Sequence, residues 1–163
     1  MATRKSSKSS KKAPADAIAL LKADHEKVRG LLGDLEKSAM RGGPKAQKLV
    51  EQIDKELEIH TAIEEEIFYP AFRDAVSTKE DRKMYYEAKE EHHVVKLVLP
   101  EVSEDGVALE EFAAKAKVLK ELVEHHADEE EDEMFPEARK VLSRAELRDL
   151  GERMAQRKKE LGA

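Results

Sequence analysis

Residues 60–70 and 126–136 follow one plan. In each, a histidine (His60, His126) is followed four residues on by a glutamate (Glu64, Glu130) and ten residues on by a proline (Pro70, Pro136). A further histidine lies upstream at nearly matching distance, His25 being 35 residues before His60 and His92 34 before His126. A four-residue step on an α-helix places both side chains on one face. A two-fold internal repeat of helices would therefore bring four imidazoles and two carboxylates together. That donor set describes a metal site with room for two ions.

The composition agrees with long helices. Of the 163 residues, 40% are charged and only 4% aromatic, and glycine and proline are few. This length predicts one domain able to bury a real core. With no cysteine, disulfides, zinc-thiolate and iron–sulfur sites are excluded. No apolar run approaches the roughly 20 residues needed to span a bilayer. No secretory-type apolar core opens the chain either, so a cytoplasmic protein without a membrane partner is expected.

Charge is unevenly placed. Arg4, Lys5, Lys8, Lys11 and Lys12 give the first fifteen residues +5, leaving −11 on the remainder of a chain whose total is −6. Residues 1–15, with serines interleaved, read as a disordered Lys/Ser-rich tail. Such a tail solubilises, or makes weak contact with nucleic acid or an acidic partner.

Four long helices follow. The first opens at Asp16, carries the stripe Leu21, His25, Val28, Leu32, Leu35 and stops at Gly42-Gly43-Pro44. The second runs through Ile53, Leu57, His60, Glu64 and Ile67 to Pro70, which is expected to end or kink it. The third is capped at Ser77-Thr78, carries Tyr85, Ala88, His92, Val95 and Leu99, and is expected to halt before Pro100. A turn over 103–106 leads to the fourth, through Leu119, Val123, His126, Glu130 and Met134 up to Phe135-Pro136. Ser143 to Glu146 is a capping-box pattern that opens a short fifth helix through Leu147, Leu150 and Met154. Helices of about 25 residues are roughly 37 Å long, and short connections make neighbours antiparallel. The fold expected is all-α: an up-down-up-down antiparallel four-helix bundle over 16–142, with the extra C-terminal helix over 143–163 packed on it or extending from it.

Each of the six residues interrupts an apolar stripe, where an unpaired carboxylate is costly. His93 falls on a polar strip and His125 beside Val118 and Leu122; only His126 repeats the ten-residue distance to proline, although His125 keeps an alternative register open. The competing reading is a set of core histidines satisfied by glutamates without metal. Glu65, Glu66, Glu129, Glu131, Asp132 and Glu133 read as solvated faces, with Glu65 near enough to support a ligand. Tyr69 and Tyr85 read as packing residues.

At these residues the chain resembles the hemerythrin-like, or HHE cation-binding, family. The resemblance rests on Asp24-His25-Glu26, on His-x3-Glu before Phe68-Tyr69-Pro70, on Glu91-His92, and on the second His-x3-Glu before Phe135-Pro136. It implies a bundle enclosing a non-haem di-iron site, with His25, His60, Glu64, His92, His126 and Glu130 as ligands and Glu64 and Glu130 as bridges. Two iron ions are implied, manganese and zinc also suiting imidazole and carboxylate donors. Oxygen-carrying members have a His-x3-His pair on the third helix, where this chain has Ala88 and Lys96 around His92. They also place an aspartate five residues after the fourth-helix histidine, where this chain has Glu130 at four. The departures point away from simple oxygen carriage, toward binding or sensing of dioxygen, nitric oxide or peroxide. The alternatives are a di-iron enzyme that decomposes peroxide or oxidises iron, and a metal-free helical interaction domain.

Overall fold

The computed structural model describes residues 15–103 and 105–163, and the Lys/Ser-rich tail expected over 1–15 lies outside them except for Ala15. The described residues are helical throughout, apart from short turns. Helix α1 (Ala17–Ala39) is capped by Asp16, whose carboxylate accepts the Ala19 N–H at 2.8 Å. Helix α2 (Gly43–Ile63) follows a turn in which Gly42 and Gly43 take φ of +60° and +82°, a region open to glycine at little cost. It passes into a π turn (Glu64–Phe68) and then α3 (Tyr69–Ala75). Helix α4 (Lys79–Val102) is capped by the Thr78 hydroxyl. Helix α5 (Leu109–Glu129) likewise passes through a π turn (Glu130–Met134) into α6 (Phe135–Val141). Helix α7 (Arg144–Glu160) opens with the expected capping box of Ser143 and Glu146.

The prolines correct the sequence reading. Pro70 and Pro136 do not end their helices, because each follows a π turn that absorbs the disruption. There Tyr69 N–H bonds back to Glu64 O, and Phe135 N–H to Glu130 O, five residues rather than four. The wider turn shifts the hydrogen-bond ladder just where the ring would otherwise crowd a carbonyl. Pro100 does not halt α4 either. It is exposed and near the C-terminus, where the single bond it forfeits faces solvent.

Helix α1 packs on α2 and α5, and α4 on α5, with α2 facing α4 across the bundle. Each rod alternates between two apolar clusters. Leu21, Ile63, Ala88 and Met134 belong to one, and Val28, Leu57, Val95 and Val123 to the other. Along α1 and α4 the first cluster precedes the second, and along α2 and α5 the order reverses, which makes the bundle up-down-up-down. His25, His60, His92 and His126 fall between the clusters on their own helices. The core is thus two apolar halves separated by one buried polar layer. Helix α7 lies against α1, α2 and the first π turn, adding Leu147, Leu150 and Met154 to the cluster nearer its end. Each such side chain contributes about 1.5–3 kcal/mol on burial.

Candidate metal centre

All six residues singled out in the sequence lie in this layer. His25, His60, His92 and His126 are 2–6% exposed, Glu130 is 2% and Glu64 is fully enclosed. Glu64 spans the two halves of the repeat, with Oε1 3.1 Å from His60 Nε2 and Oε2 3.1 Å from His92 Nε2. Glu130 does likewise, its Oε2 3.2 Å from His25 Nε2 and 3.6 Å from His126 Nε2. Donor atoms of His25, His60, Glu64 and Glu130 form one group within 4.8 Å of one another, and those of Glu64, His92 and His126 a second. Both carboxylates open a π turn, so the irregularity that accommodates the prolines also sets where these glutamates point. His93 and His125 face outward, with side chains 62% and 64% exposed, and it is His126 that turns into the layer from the fourth rod.

Every imidazole turns its other nitrogen to a carboxylate. The Nδ1 of His25 meets Glu131 at 2.8 Å, that of His60 meets Asp24 at 3.3 Å, that of His92 meets Glu65 at 2.8 Å, and that of His126 meets Glu91 at 2.6 Å. The partners obey the repeat. Glu65 and Glu131 directly follow Glu64 and Glu130, while Asp24 and Glu91 directly precede His25 and His92. Arg29 and Lys96, each four residues past its helix's histidine, complete the pattern by donating to Glu131 at 2.8 Å and to Glu65 at 2.7 Å. The sequence reading anticipated Glu65, placed Glu131 on a solvated face in error, and gave Asp24 and Glu91 no role. The signal for them was the repeat itself, which duplicates an acid before each upstream histidine and after each glutamate.

Tyr69 is the second correction. It packs as expected, edge-to-face with Tyr85, but its hydroxyl also donates to Glu130 Oε1 at 2.6 Å and lies 3.1 Å from His92 Nε2 and 3.4 Å from His126 Nε2. Burial, reinforced by the charges of Glu130 and Glu64, holds its pKa well above the ordinary phenol range. It is a neutral donor.

An imidazole that donates from Nδ1 keeps its lone pair on Nε2. In their neutral forms the four Nε2 atoms would therefore present lone pairs to the same space as the carboxylate oxygens, whereas protonated His60 and His92 carry N–H there instead. Among the described residues, the buried side-chain atoms without a hydrogen-bond partner are His25 Nε2, His60 Nε2, both oxygens of Glu64 and Oε2 of Glu130. All belong to this one cluster. Leaving such groups unpaired costs about 1–3 kcal/mol each, more when charged. The titration behaviour has the same origin. Burial opposes charge on His60, yet Glu64 and Asp24 override it and raise the pKa to about 10. Burial likewise opposes charge on His92, while Glu64 and Glu65 push it up to about 9. Glu64, despite its burial, is held well below the usual carboxylate range by His60 and His92. The cluster calls for positive charge at its centre, and divalent cations fit its nitrogen and oxygen donors.

On one side of the layer the imidazoles floor a cavity of about 20 Å³ roofed by Val28, Leu57, Val95 and Val123. A space of that size takes about one water-sized molecule.

Comparison with known proteins agrees with this geometry. A family model described as the hemerythrin HHE cation-binding domain matches residues 16–138. A crystal structure of an HHE cation-binding domain-containing protein from Mycobacterium kansasii is 30% identical and superposes with a TM-score of 0.74, covering 90% of this chain and 87% of that one. A protein from a Nostoc species named as a DNA nickase is 29% identical over 124 residues, 76% of this chain but 34% of its own length, so the chain spans about a third of that relative. Among the described residues no helix is long and apolar enough to cross a membrane.

Proposed function

Because the chain belongs to the hemerythrin HHE cation-binding domain family, we propose that it holds a pair of iron ions in the buried layer and there binds a small oxidant: dioxygen, nitric oxide or peroxide. The observation that carries this reading is the set of unpartnered, inward-facing nitrogen and oxygen atoms confined to His25, His60, Glu64 and Glu130. His25, His60, His92 and His126 would hold the metals through Nε2, with Glu64 and Glu130 shared between the two halves. When bound, iron supplies an open coordination position and the Fe(II)/Fe(III) couple. Manganese or zinc would satisfy the same donors.

The protein's own contribution is legible in the residues. Glu131, Asp24, Glu65 and Glu91 fix each imidazole's tautomer and orientation and increase its basicity as a donor. The valine and leucine roof keeps bulk water from the Nε2 side and leaves space of about one water molecule, which suits only the smallest ligands. Tyr69 offers one proton-bearing oxygen beside His92 and His126, fit to hydrogen-bond a polar ligand held there.

The test is anaerobic loading of the full chain with Fe(II), followed by metal analysis and visible absorption before and after air, peroxide or nitric oxide. Two irons per chain and a stoichiometric, reversible spectral change are expected, and His60→Ala should lose both. Sustained peroxide turnover would assign the site to an enzyme instead. No iron uptake, with an unchanged melting temperature, would leave a metal-free helical interaction domain. The nickase likeness extends to only a third of that protein, and a passing contact with nucleic acid rests on the charge of the Lys-rich tail. A salt-sensitive mobility shift of duplex DNA by the full chain, lost on removing residues 1–14, is the corresponding check.

A further inference from the structure

The two halves of the repeat differ sharply on their outer sides. In the second half, a narrow cleft between α4 and α5 is walled by Glu87, Glu91, Glu129 and Glu133, and Glu130 lies along it. At the corresponding places the first half has Leu20, Asp24, Ile63 and Ile67. Ile63 lies in the apolar cluster joined by α7, and Leu20 and Ile67 pack against it. Asp24, the one acid retained there, is paired with Lys158 of α7. The repeat therefore does not require an acidic wall. Where α7 covers the bundle the wall is apolar, and where the bundle is open it carries four carboxylates.

The cleft ends at Glu130, a residue of the buried layer that is 2% exposed and whose unpartnered Oε2 is turned inward to His25 and His126. At the outer rim, His125 Nε2 lies 3.2 Å from Glu129 Oε1 and 3.6 Å from Glu91 Oε1, and these three residues present donor atoms within 4.8 Å of one another. The other oxygen of Glu91 accepts from His126 Nδ1 at 2.6 Å. A rim cation would thus share a carboxylate with a residue of the buried layer. Lys83, itself exposed, pairs with Glu87 at 2.6 Å and offsets one of the four charges.

We propose that Glu91, His125 and Glu129 form a second, surface metal site that receives divalent cations and passes them along the Glu87/Glu133 cleft to Glu130. The inference rests on the buried layer being the metal centre proposed above. The donors, one imidazole and two carboxylates, suit hydrated first-row divalent ions such as Fe(II) or Mn(II). An open three-donor rim binds more weakly than the enclosed layer, as a transit site must. A cleft lined by one sign of charge concentrates the opposite ion and raises its rate of entry, by about 10–10³-fold in favourable cases.

Two measurements on the full chain test this. The iron-loaded protein is titrated with Mn(II) and free Mn(II) is followed by electron paramagnetic resonance; one additional, weakly held ion per chain is expected, absent in His125→Ala/Glu129→Gln. Both side chains are outward-facing, so the variant should fold normally, as circular dichroism would confirm. Fe(II) uptake by the metal-free chain is then timed. The variant should load about tenfold more slowly and still reach two irons per chain, whereas Glu121→Gln, elsewhere on α5, should load at the normal rate. No extra Mn(II), an unchanged loading rate in the rim variant, or equal slowing by Glu121→Gln would each overturn the proposal. A wild-type chain that takes up no iron would instead overturn the buried centre, and the transit role with it.

Discussion

The hydroxyl of Tyr69 donates to Glu130 Oε1 at 2.6 Å, whereas Phe135, at the equivalent step of the other half, stacks on His25 with ring centres 5.8 Å apart. The repeat thus pairs a phenol with a phenyl. Tyr69 anchors one oxygen of Glu130 and leaves the other turned to His25 and His126. Removing the hydroxyl strands a buried carboxylate oxygen, and hydrogen bonds to charged groups are worth about 1.5–3 kcal/mol. Tyr69→Phe is expected to lower the unfolding free energy of the metal-free chain by about that amount in urea denaturation. No change would mean the bond adds nothing over its solvated alternatives.

Asp24 is held between His60 and Lys158, the latter reaching it from α7. Burial works against its ionisation, but His60 and Lys158 keep its pKa below the ordinary value. Carboxylates that orient a ligating histidine typically matter 10–100-fold in metal affinity. Asp24→Asn should weaken iron binding by about that factor in a chelator competition, with the fold unchanged by circular dichroism. Lys158→Met acts only through Asp24 and should cost less. If both variants bind iron as the wild type does, Asp24 does not support His60 as a ligand.

Much of this arrangement was legible in the sequence because the repeat is written in spacing. His-x3-Glu fixes a helical face, and interrupted apolar stripes fix which face is buried, so the six inward residues and the bundle could be read directly. What escaped was governed by the π turns. An insertion of one residue per turn is invisible to a 3.6-residue pattern, so Pro70 and Pro136 looked like helix ends. Tyr69 was missed because its packing role is real; its hydroxyl acquires a second role only through Glu130, 61 residues away.

Asp16 predicts a pH dependence at the start of α1. Its carboxylate accepts the Ala19 N–H at 2.8 Å and faces Arg139 Nη1 at 3.0 Å. Burial pushes its pKa up, but these partners outweigh burial and set it below 3.8. A group whose folded pKa is depressed stabilises fully above its unfolded pKa, and that contribution fades as pH falls through the folded value. Asp16→Ala should cost about 1 kcal/mol at pH 7, as typical for a lost cap. The gap between wild type and variant should narrow below about pH 4. A gap independent of pH would show that the carboxylate's charge contributes nothing.

Gly151 and Gly30 make opposite predictions from the same substitution. In an exposed helix interior, glycine to alanine gains up to about 1 kcal/mol. Gly30, on α1, has nothing within 4 Å of where a Cβ would stand, so Gly30→Ala should raise the melting temperature slightly. At Gly151 a Cβ would stand 2.5 Å from Ala15 O, 2.8 Å from Ala17 N and 2.8 Å from Asp16 C. These are backbone atoms at the capped start of α1, and they cannot rotate aside as a side chain would. Accommodating the methyl requires α7 to lift from α1, loosening the seat of Leu147, Leu150 and Met154. Gly151→Ala should therefore lose about 1–3 kcal/mol despite the propensity gain, which lowers the melting temperature by roughly 3–10 °C in a chain of this size. Because Lys158 reaches Asp24 from the same helix, the variant should also bind iron more weakly in the chelator competition. A melting temperature equal to or above that of Gly30→Ala would show that α7 is not seated this closely on α1.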